Sequence, residues 1–227
     1  WGGFSQYLYL PLNAVLHRVP AGLTPEQAGL ATPMSNGIQW ALIDGGVGFG
    51  STVLIQGPGQ QGLCCVMAAR HAGAETIIIT GTARDARRLE VAKALGADVT
   101  VDISQEDPLA RVQQATNGRG VDVVIDCTVG AGPEPVLLGI EATKRRAGTM
   151  VVQGEGNQKF PDFPIGRLTR KGMTLKSASE RAMCHLGPRR PPGTRPRWRA
   201  STDRVIPRSW RTTIPSRNHP ITVHTAH

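Results

Sequence analysis

Short apolar runs alternate with segments of helical character between residues 52 and 177, and this alternation restricts the fold more than any other feature. The run of residues 52–56 has the length and continuous apolar character of a strand buried on both faces of a parallel sheet. The six predicted strands cover residues 52–56, 76–80, 99–102, 121–126, 148–153 and 173–177. Predicted helices lie between them, at about residues 61–72, 85–95, 107–116 and 133–144. We therefore predict an α/β fold, a doubly wound sheet of six parallel strands.

The first forty residues have a different character. Residues 1–20 contain aromatic and β-branched clusters interrupted by prolines, which is typical of short strands. A helix is predicted to start at residues 24–27, because Thr24 can cap it and Pro25 suits its first position. A second helical stretch is predicted from Ser35 to about Ile43.

The net charge of +9 is concentrated at the end of the chain. Residues 181–227 hold ten Arg, seven Pro and no Lys, with Asp203 as the one acid, whereas basic and acidic residues balance over residues 1–180. No helical or strand period is present, so we predict a disordered basic tail. Because all its Lys/Arg positions are Arg, we favour the interpretation that the tail is GC-rich DNA translated in a shifted reading frame. A native tail is the alternative. Nucleic-acid binding through residues 197–199 is a less favoured alternative.

Cysteine spacing and hydropathy exclude several classes of protein. The four Cys (64, 65, 127 and 184) form no C-x-x-C pair and have no His at ligand spacing, so no metal site is predicted. No apolar run approaches the roughly 20 residues that span a bilayer. We expect a cytoplasmic protein with no membrane partner. The opening at Trp1, without Met, favours a fragment of a longer protein.

A glycine motif indicates a ligand. Residues 57–62, Gly-Pro-Gly-Gln-Gln-Gly, match G-x-G-x-x-G directly after a predicted strand and at the start of a predicted helix. Gly57 permits the tight turn, Gly59 lets a pyrophosphate approach the backbone, and Gly62 allows close packing of the helix. The exposed N–H groups at the helix start, at Gln60 and Gln61, attract phosphate. We predict a dinucleotide-binding Rossmann unit; a plain glycine turn is the alternative.

The end of the second predicted strand bears on the choice of cofactor. NAD sites usually carry Asp or Glu there, to bind the ribose hydroxyls. This chain has Gly81, Thr82 and Arg84 instead, followed by Arg87 and Arg88 on the next helix. Guanidinium groups can pair with a 2′-phosphate, which favours NADP over NAD. The alternative is that these arginines form a solvated helix face.

Several segments resemble the medium-chain dehydrogenase/reductase superfamily, in particular its zinc-type alcohol dehydrogenase and threonine dehydrogenase-like group. The similar segments are residues 2–7 (GGFSQY), 19–28 (VPAGLTPEQA), 89–98 (LEVAKALGAD) and 118–126 (GRGVDVVID). The resemblance implies a remnant of a β-rich, chaperonin-like catalytic domain with its linker over residues 1–36. A Rossmann domain over residues 37–178 and the tail over residues 179–227 would follow.

The resemblance also implies an activity, hydride transfer between a small alcohol or carbonyl compound and NAD(P). It places Cys127 and Thr128 beside the adenosine half of the cofactor, and Gly154 and Glu155 beside the nicotinamide. The parent is expected to be a homodimer or homotetramer. A non-catalytic dinucleotide-binding module or sensor is the alternative function.

The chain differs from the family in the residues that bind zinc. The Cys and His that hold the catalytic zinc belong to a region that precedes this sequence in the family, so we assign no catalytic and no metal-binding residue here. A further ligand position aligns with Thr32, whose neutral hydroxyl is a poor zinc ligand. Zinc is expected only in the missing catalytic domain, and its presence even there is in question.

Overall fold

The computed structural model describes residues 7–10, 18–153, 160, 162–178 and 221–224. The strands in these ranges are β1 (Tyr7–Leu10), β2 (Thr52–Gln56), β3 (Thr76–Gly81), β4 (Val99–Asp102), β5 (Val123–Asp126), β6 (Thr149–Val152), β7 (Thr174–Ser177) and β8 (Ile221–His224). The α-helices are α1 (Pro25–Gly29), α2 (Ala31–Ile38), α3 (Gln60–His71), α4 (Ala86–Ala94), α5 (Pro108–Ala115), α6 (Glu134–Ala142) and α7 (Ile165–Lys171). The chain divides into two compact units, residues 23–185 and residues 1–22 with 186–227.

Six strands of the larger unit form one sheet in the order β4-β3-β2-β5-β6-β7. Every neighbouring pair is parallel, which confirms the predicted doubly wound sheet. The strand order reverses between β2 and β5, which lie side by side although β3 and β4 separate them in sequence. Ligands of open α/β sheets bind at the carboxyl ends of the strands at such a reversal. The topology therefore directs attention to the loops that follow β2 and β5.

Each face of the sheet packs against its own apolar cluster. Val53 and Ile55 of β2 belong to the cluster that includes Trp40 and Cys65, whereas Leu54 belongs to the cluster of the other face, with Ile140. All six side chains are fully buried. Successive side chains of a strand point to opposite faces, so a strand covered on both sides must be apolar throughout. Each fully buried Val, Leu or Ile contributes about 1.5–3 kcal/mol through burial.

Two helical segments differ from the sequence prediction. The helix predicted from Ser35 begins at Ala31 and continues beyond Ile38 as a π-helix, Gln39–Asp44. Pro33 does not prevent the earlier start, because the first-turn N–H that it lacks has no intrahelical partner in any helix. Helix α7 was not predicted, since it has only seven residues and contains a glycine; Gly172 ends it in the left-handed conformation (φ 55°).

The ends of other elements differ by a residue or two. The strand predicted over 121–126 begins at Val123, and Val121 forms an isolated bridge with Thr143. A 3₁₀ turn, Ala83–Asp85, precedes α4. None of these differences changes the strand order.

The smaller unit contains a two-stranded antiparallel sheet of β1 and β8, in which Tyr7 pairs with His224. β1 agrees with the expected short strands near the start of the chain. β8 lies in the tail for which disorder was predicted, so these four residues differ from that prediction. Ile-Thr-Val is a β-branched run that the Arg/Pro composition of the tail as a whole conceals. The remainder of residues 179–227 lies outside the described residues. Within the described residues, no helix is long and apolar enough to cross a bilayer.

Gly37 lies at the closest contact between α2 and α3. A Cβ at this position would be 2.7 Å from the carbonyl carbon and oxygen of Cys64. Because both partners are backbone atoms, a side chain would force the two helices apart. In α7, by contrast, a Cβ on Gly166 would meet only the guanidinium of Arg170, at 3.6 Å.

We expect Gly37→Ala to lower the free energy of unfolding by about 1–3 kcal/mol, because overpacking outweighs the higher helix propensity of Ala. Gly166→Ala serves as the matched control and should leave stability unchanged or raise it by up to about 1 kcal/mol. Urea denaturation of both variants measures the difference. Equal effects at the two glycines would contradict this account of the α2–α3 contact.

Candidate dinucleotide site

The loop that joins β2 to α3 has the geometry of a tight turn. Gly57 adopts a left-handed conformation (φ 89°), which glycine alone adopts without strain. Its amide donates to the Thr80 carbonyl at the end of β3 (3.0 Å). The first helical hydrogen bond of α3 runs from Leu63 N to Gly59 O (2.9 Å). The amides of residues 60–62 consequently have no acceptor within the helix, as at every helix start, and can bind an anion.

The three glycines of the loop differ in what surrounds them. A Cβ on Gly62 would lie 2.0 Å from the Gly57 carbonyl oxygen, and a Cβ on Gly57 would lie 3.1 Å from the carbonyl oxygen of Cys127. A Cβ on Gly59 would meet nothing within 4 Å. Gly57 and Gly62 therefore close the turn and fix the helix, while Gly59 faces open space. This is the arrangement that the sequence motif predicts for a pyrophosphate.

Gly81 lies beside the loop at the end of β3. A Cβ there would lie 2.9 Å from Pro58 Cγ and 3.1 Å from Asp85 Cβ. No side chain fits without displacing the proline ring of the loop. Steric crowding thus accounts for the missing carboxylate at the position where NAD sites usually carry one.

Asp85, four residues further on, is an acid that the sequence analysis did not single out. Its carboxylate accepts hydrogen bonds from Thr82 N (3.1 Å), Thr82 Oγ1 (2.8 Å) and an Arg88 guanidinium nitrogen (2.8 Å). Burial raises the pKa of Asp85, but the Thr82 and Arg88 contacts outweigh burial and leave the pKa below its usual value. The Thr-x-x-Asp spacing of a capping box was the signal that could have revealed this role.

The three arginines assigned to the cofactor have different surroundings. Arg88 forms an ion pair with Asp85, so its charge is partly compensated. Arg84 and Arg87 are exposed and form no ion pair with a described residue. Arg84 belongs to the 3₁₀ turn after β3, and Arg87 to the first turn of α4. The uncompensated positive charge near the end of β3 thus comes from Arg84 and Arg87.

The turn after β5 touches the glycine loop. The backbone of Cys127 and Thr128 lies 3.1–3.3 Å from the position of a Cβ on Gly57. The Cys127 side chain, however, is buried in the core, where its Sγ lies 3.9 Å from Cys65 Sγ. Only the backbone of Cys127 therefore lies next to the loop. The structure brings the predicted residues 57–62, 81 and 127–128 together at one edge of the sheet.

Asp126, the last residue of β5, is buried and binds the turn that follows it. Its Oδ1 accepts hydrogen bonds from Thr128 N (3.0 Å) and Thr128 Oγ1 (2.6 Å). Burial raises the pKa of Asp126, although the hydrogen bonds from Thr128 act in the opposite direction. Sequence reasoning did not include this residue among the candidates, because an aspartate at a strand end is also a common solvent-exposed turn residue.

Asn36 is a second residue that sequence reasoning missed. It is 1% exposed, yet neither its Nδ2 nor its Oδ1 has a hydrogen-bond partner in the described part of the chain. Gln61 Oε1, in the first turn of α3, is likewise buried without a partner. Buried amides without partners are rare, because leaving them unpaired costs about 1–3 kcal/mol each.

Asn36 lies on α2, the helix that packs against α3 at Gly37. Gly37 contacts Cys64, early in α3, whereas Gly45 contacts Val123 at the first residue of β5. The chain from Gly37 to Gly45 thus runs from the carboxyl edge of the sheet toward its amino edge. The two unpaired amides therefore lie on two helices in contact, and Gln61 belongs to the glycine motif itself.

Some predicted features cannot be placed or do not form a site. Gly154 and Glu155 lie outside the described residues. Thr32 is exposed on α2, and the described ranges contain no group of three His, Cys, Asp or Glu side chains that could hold a metal ion. The described residues therefore do not form a zinc site.

A depression of about 580 Å³ lies at the amino edge of the sheet, opposite the glycine loop, and is lined by basic residues including Arg145 and Lys171. The ammonium group of Lys171 donates to the carbonyls of Ile140, Glu141 and Thr143. All three of its protons are used to bind the C-terminal carbonyls around α6. This lysine has a structural role, and the chemistry-bearing residues lie at the other edge.

Comparison with known proteins identifies the family. Residues 62–184 match the model of the family described as zinc-binding dehydrogenase, which is more than half of the chain. The chain belongs to this family, within the medium-chain dehydrogenase/reductase superfamily. The predicted resemblance is confirmed.

Individual relatives agree with this assignment. The chain is 41% identical over 155 residues to the "Probable alcohol dehydrogenase adh" of Mycobacterium tuberculosis, covering 68% of this chain and 41% of that protein. It is 37% identical to the sorbitol dehydrogenase of Bacillus subtilis, covering 69% of this chain and 42% of that one. Alcohol dehydrogenase TADH from Thermus sp. ATN1 superposes with a TM-score of 0.63 at 29% identity, covering 71% and 45%. The chain thus spans about two fifths of these relatives' length.

The contact between Gly62 and Gly57 provides a test of the loop geometry. We expect Gly62→Ala to lower the free energy of unfolding by at least about 1–3 kcal/mol, since the new methyl group would overlap a backbone carbonyl. Gly59→Ala is the control, because its methyl group would enter open space and change stability by no more than about 0.5 kcal/mol. Chemical denaturation of both variants gives the comparison, and a stable Gly62→Ala protein would refute the contact.

Proposed function

We propose that the chain binds a nicotinamide dinucleotide, with NADP preferred over NAD. It would provide the cofactor-binding part of an oxidoreductase that transfers hydride between an alcohol and a carbonyl compound. The observation that most directly supports this proposal is the loop of residues 57–62, where Gly59 faces open space beside the amides that begin α3. A pyrophosphate fits this arrangement because the amides and the helix dipole both favour negative charge.

The preference for NADP rests on the charges near the end of β3. Gly81 excludes a carboxylate at the usual NAD position, and the carboxylate of Asp85 is already bound by Thr82 and Arg88. Arg84 and Arg87 remain as exposed cations for a 2′-phosphate. Arg pairs well with phosphate because its planar group can donate two parallel hydrogen bonds.

The unpaired amides supply the next part of the proposed site. Asn36 of α2 and Gln61, within the glycine motif, carry buried polar atoms without a partner among the described residues. We propose that a bound dinucleotide satisfies these atoms. The assignment of Gly154 and Glu155 to the nicotinamide side stays a prediction from the family resemblance.

The reaction itself belongs to the cofactor. A bound nicotinamide ring supplies the hydride acceptor or donor, and the protein contributes binding, orientation and electrostatics. Relatives named as alcohol and sorbitol dehydrogenases favour a small hydroxyl compound or its carbonyl product as the substrate class. We assign no catalytic role to a described residue.

A non-catalytic dinucleotide-binding module or sensor is the second candidate. The observation that favours it is the exposed, neutral Thr32 at the position that the family resemblance gives to a zinc ligand. Both candidates require the same dinucleotide site. They differ in whether zinc-supported alcohol oxidation accompanies binding.

Cytoplasmic location and assembly of the parent into a homodimer or homotetramer stay predictions. Size-exclusion chromatography with light scattering would measure the assembly directly.

The NADP preference predicts a selective effect of the two exposed arginines. In the double variant Arg84→Ala with Arg87→Ala, we expect NADPH affinity to fall about tenfold or more, because two charge-assisted contacts to the 2′-phosphate are lost. NADH affinity should change less than twofold, since NADH lacks that phosphate. Fluorescence titration with each nucleotide measures both values.

The matched control is Arg111→Ala, an arginine on α5 that pairs with Glu106 and lies outside the proposed site. It should leave both affinities unchanged. Equal losses for NADPH and NADH in the double variant would contradict the assignment of Arg84 and Arg87 to the 2′-phosphate.

We further expect residues 1–227 alone to bind the dinucleotide without oxidising alcohols. The relatives with named dehydrogenase activity are more than twice as long as the portion matched here. An absorbance assay for NADPH formation, with ethanol or sorbitol and added zinc, tests this expectation. Zinc-dependent turnover by this chain would show that the catalytic groups are present in it.

A further inference from the structure

We propose that Asp126 and Thr128 are positioning residues that fix the glycine loop for dinucleotide binding. This inference rests on the proposed function, since it concerns the same site. Neither residue has to touch the cofactor through its side chain. Their effect passes through the backbone of the turn that follows β5.

Two hydrogen bonds join Asp126 and Thr128. A single carboxylate oxygen of Asp126 accepts both the amide (3.0 Å) and the hydroxyl (2.6 Å) of Thr128. The Asp126 residue is 3% exposed, so little water competes for these bonds. Hydrogen bonds to a charged acceptor are stronger than neutral ones, and those in a low-dielectric interior are stronger again. The conformation of the turn is therefore set by this carboxylate.

The turn that follows β5 contacts the glycine loop at Gly57. A Cβ on Gly57 would lie 3.1 Å from Cys127 O, 3.2 Å from Cys127 C and 3.3 Å from Thr128 N. These three atoms belong to the peptide group between Cys127 and Thr128, which thus lies directly against Gly57. On its other side, Gly57 is held by the hydrogen bond from its amide to Thr80 O. The turn consequently forms one wall that holds the first glycine of the motif.

Within the turn, the position of Thr128 depends on Asp126, whereas that of Cys127 does not. Cys127 is already anchored, because its amide donates to Gln56 O (2.9 Å) and its side chain packs against Cys65 of α3. Among the described residues, Thr128 donates hydrogen bonds to Asp126 alone. Without them, the peptide group of Thr128 is free to rotate, and the wall against Gly57 loses its fixed position.

A displacement of Gly57 would change the geometry of the proposed ligand site. Gly62 packs on the carbonyl of Gly57, so the start of α3 follows any shift of that residue. The amides of residues 60–62 would then no longer converge on one point. Ligand binding depends on such preorganisation, because binding must otherwise supply the free energy needed to order the loop.

The decisive experiment compares two substitutions at Thr128 in the full chain. Thr128→Val keeps the shape of the side chain but removes the hydroxyl, and we expect NADPH affinity to fall about five- to tenfold in a fluorescence titration. Thr128→Ser restores the hydroxyl and should bind NADPH within twofold of the wild-type protein. Asp126→Asn, which keeps an acceptor oxygen, should bind more tightly than Asp126→Ala.

Asp107→Ala is the matched control. Asp107 also accepts an amide two residues ahead, from Leu109, but it caps α5 and makes no described contact with the loop. Urea denaturation of every variant separates loss of fold from loss of binding. Wild-type affinity in Thr128→Val and Asp126→Ala, or equal loss in Thr128→Val and Thr128→Ser, would overturn the inference.

A second readout does not depend on the cofactor. The backbone amide signal of Gly57 in a ¹⁵N-correlated NMR spectrum should shift in Thr128→Val and stay unchanged in Asp107→Ala. If the wild-type chain binds neither NADPH nor NADH, the proposed function fails, and the Gly57 signal alone then decides whether Asp126 and Thr128 fix the loop. An unshifted Gly57 signal in Thr128→Val overturns that role in either case.

Discussion

The contact between Gly62 and the carbonyl of Gly57 is the constraint on which the site depends. A Cβ at residue 62 would lie 2.0 Å from that oxygen, so the start of α3 can lie directly over the end of β2 only if this residue is glycine. The close approach fixes the direction of the helix. Its unpaired amides then point away from the core, toward the open side of Gly59.

The strand order of the sheet brings a second loop against this contact. β2 and β5 are neighbours because the strand order reverses between them, and their following loops therefore meet at one edge. Gly57 lies against the peptide group of Cys127 and Thr128 for this reason. Residues that stabilise the fold and residues that shape the site are here the same residues. Asp126 shows this most clearly, since a buried carboxylate at a strand end is costly unless hydrogen bonds satisfy it.

Charge near the end of β3 follows from packing as much as from composition. Gly81 is crowded by Pro58 of the glycine loop, so the acid that often lies at this place has no room. The next acid, Asp85, caps the following turn through Thr82 and pairs with Arg88. Counting acids and bases along the sequence therefore misjudges the local charge. The exposed cations are Arg84 and Arg87, whereas Arg88 is partly compensated.

The sequence by itself determined the fold class, the six strands of the parallel sheet and the place of the glycine loop. Each of these depends on local patterns, namely continuous apolar runs, helix starts and glycines at fixed spacing. The π-helix at residues 39–44 and the short helix α7 were beyond such patterns. Burial in the core stabilises the first, and polar contacts of Arg167 and Lys171 with Glu141 of α6 hold the second.

Only the tertiary structure decided which side chains share the site. It brought the turn after Asp126 against the glycine loop, buried the Cys127 side chain in the core, and paired Arg88 with Asp85. No local pattern encodes these outcomes. The physical reason is that burial and hydrogen-bond partners depend on which strands become neighbours, and the strand order is a property of the whole sheet.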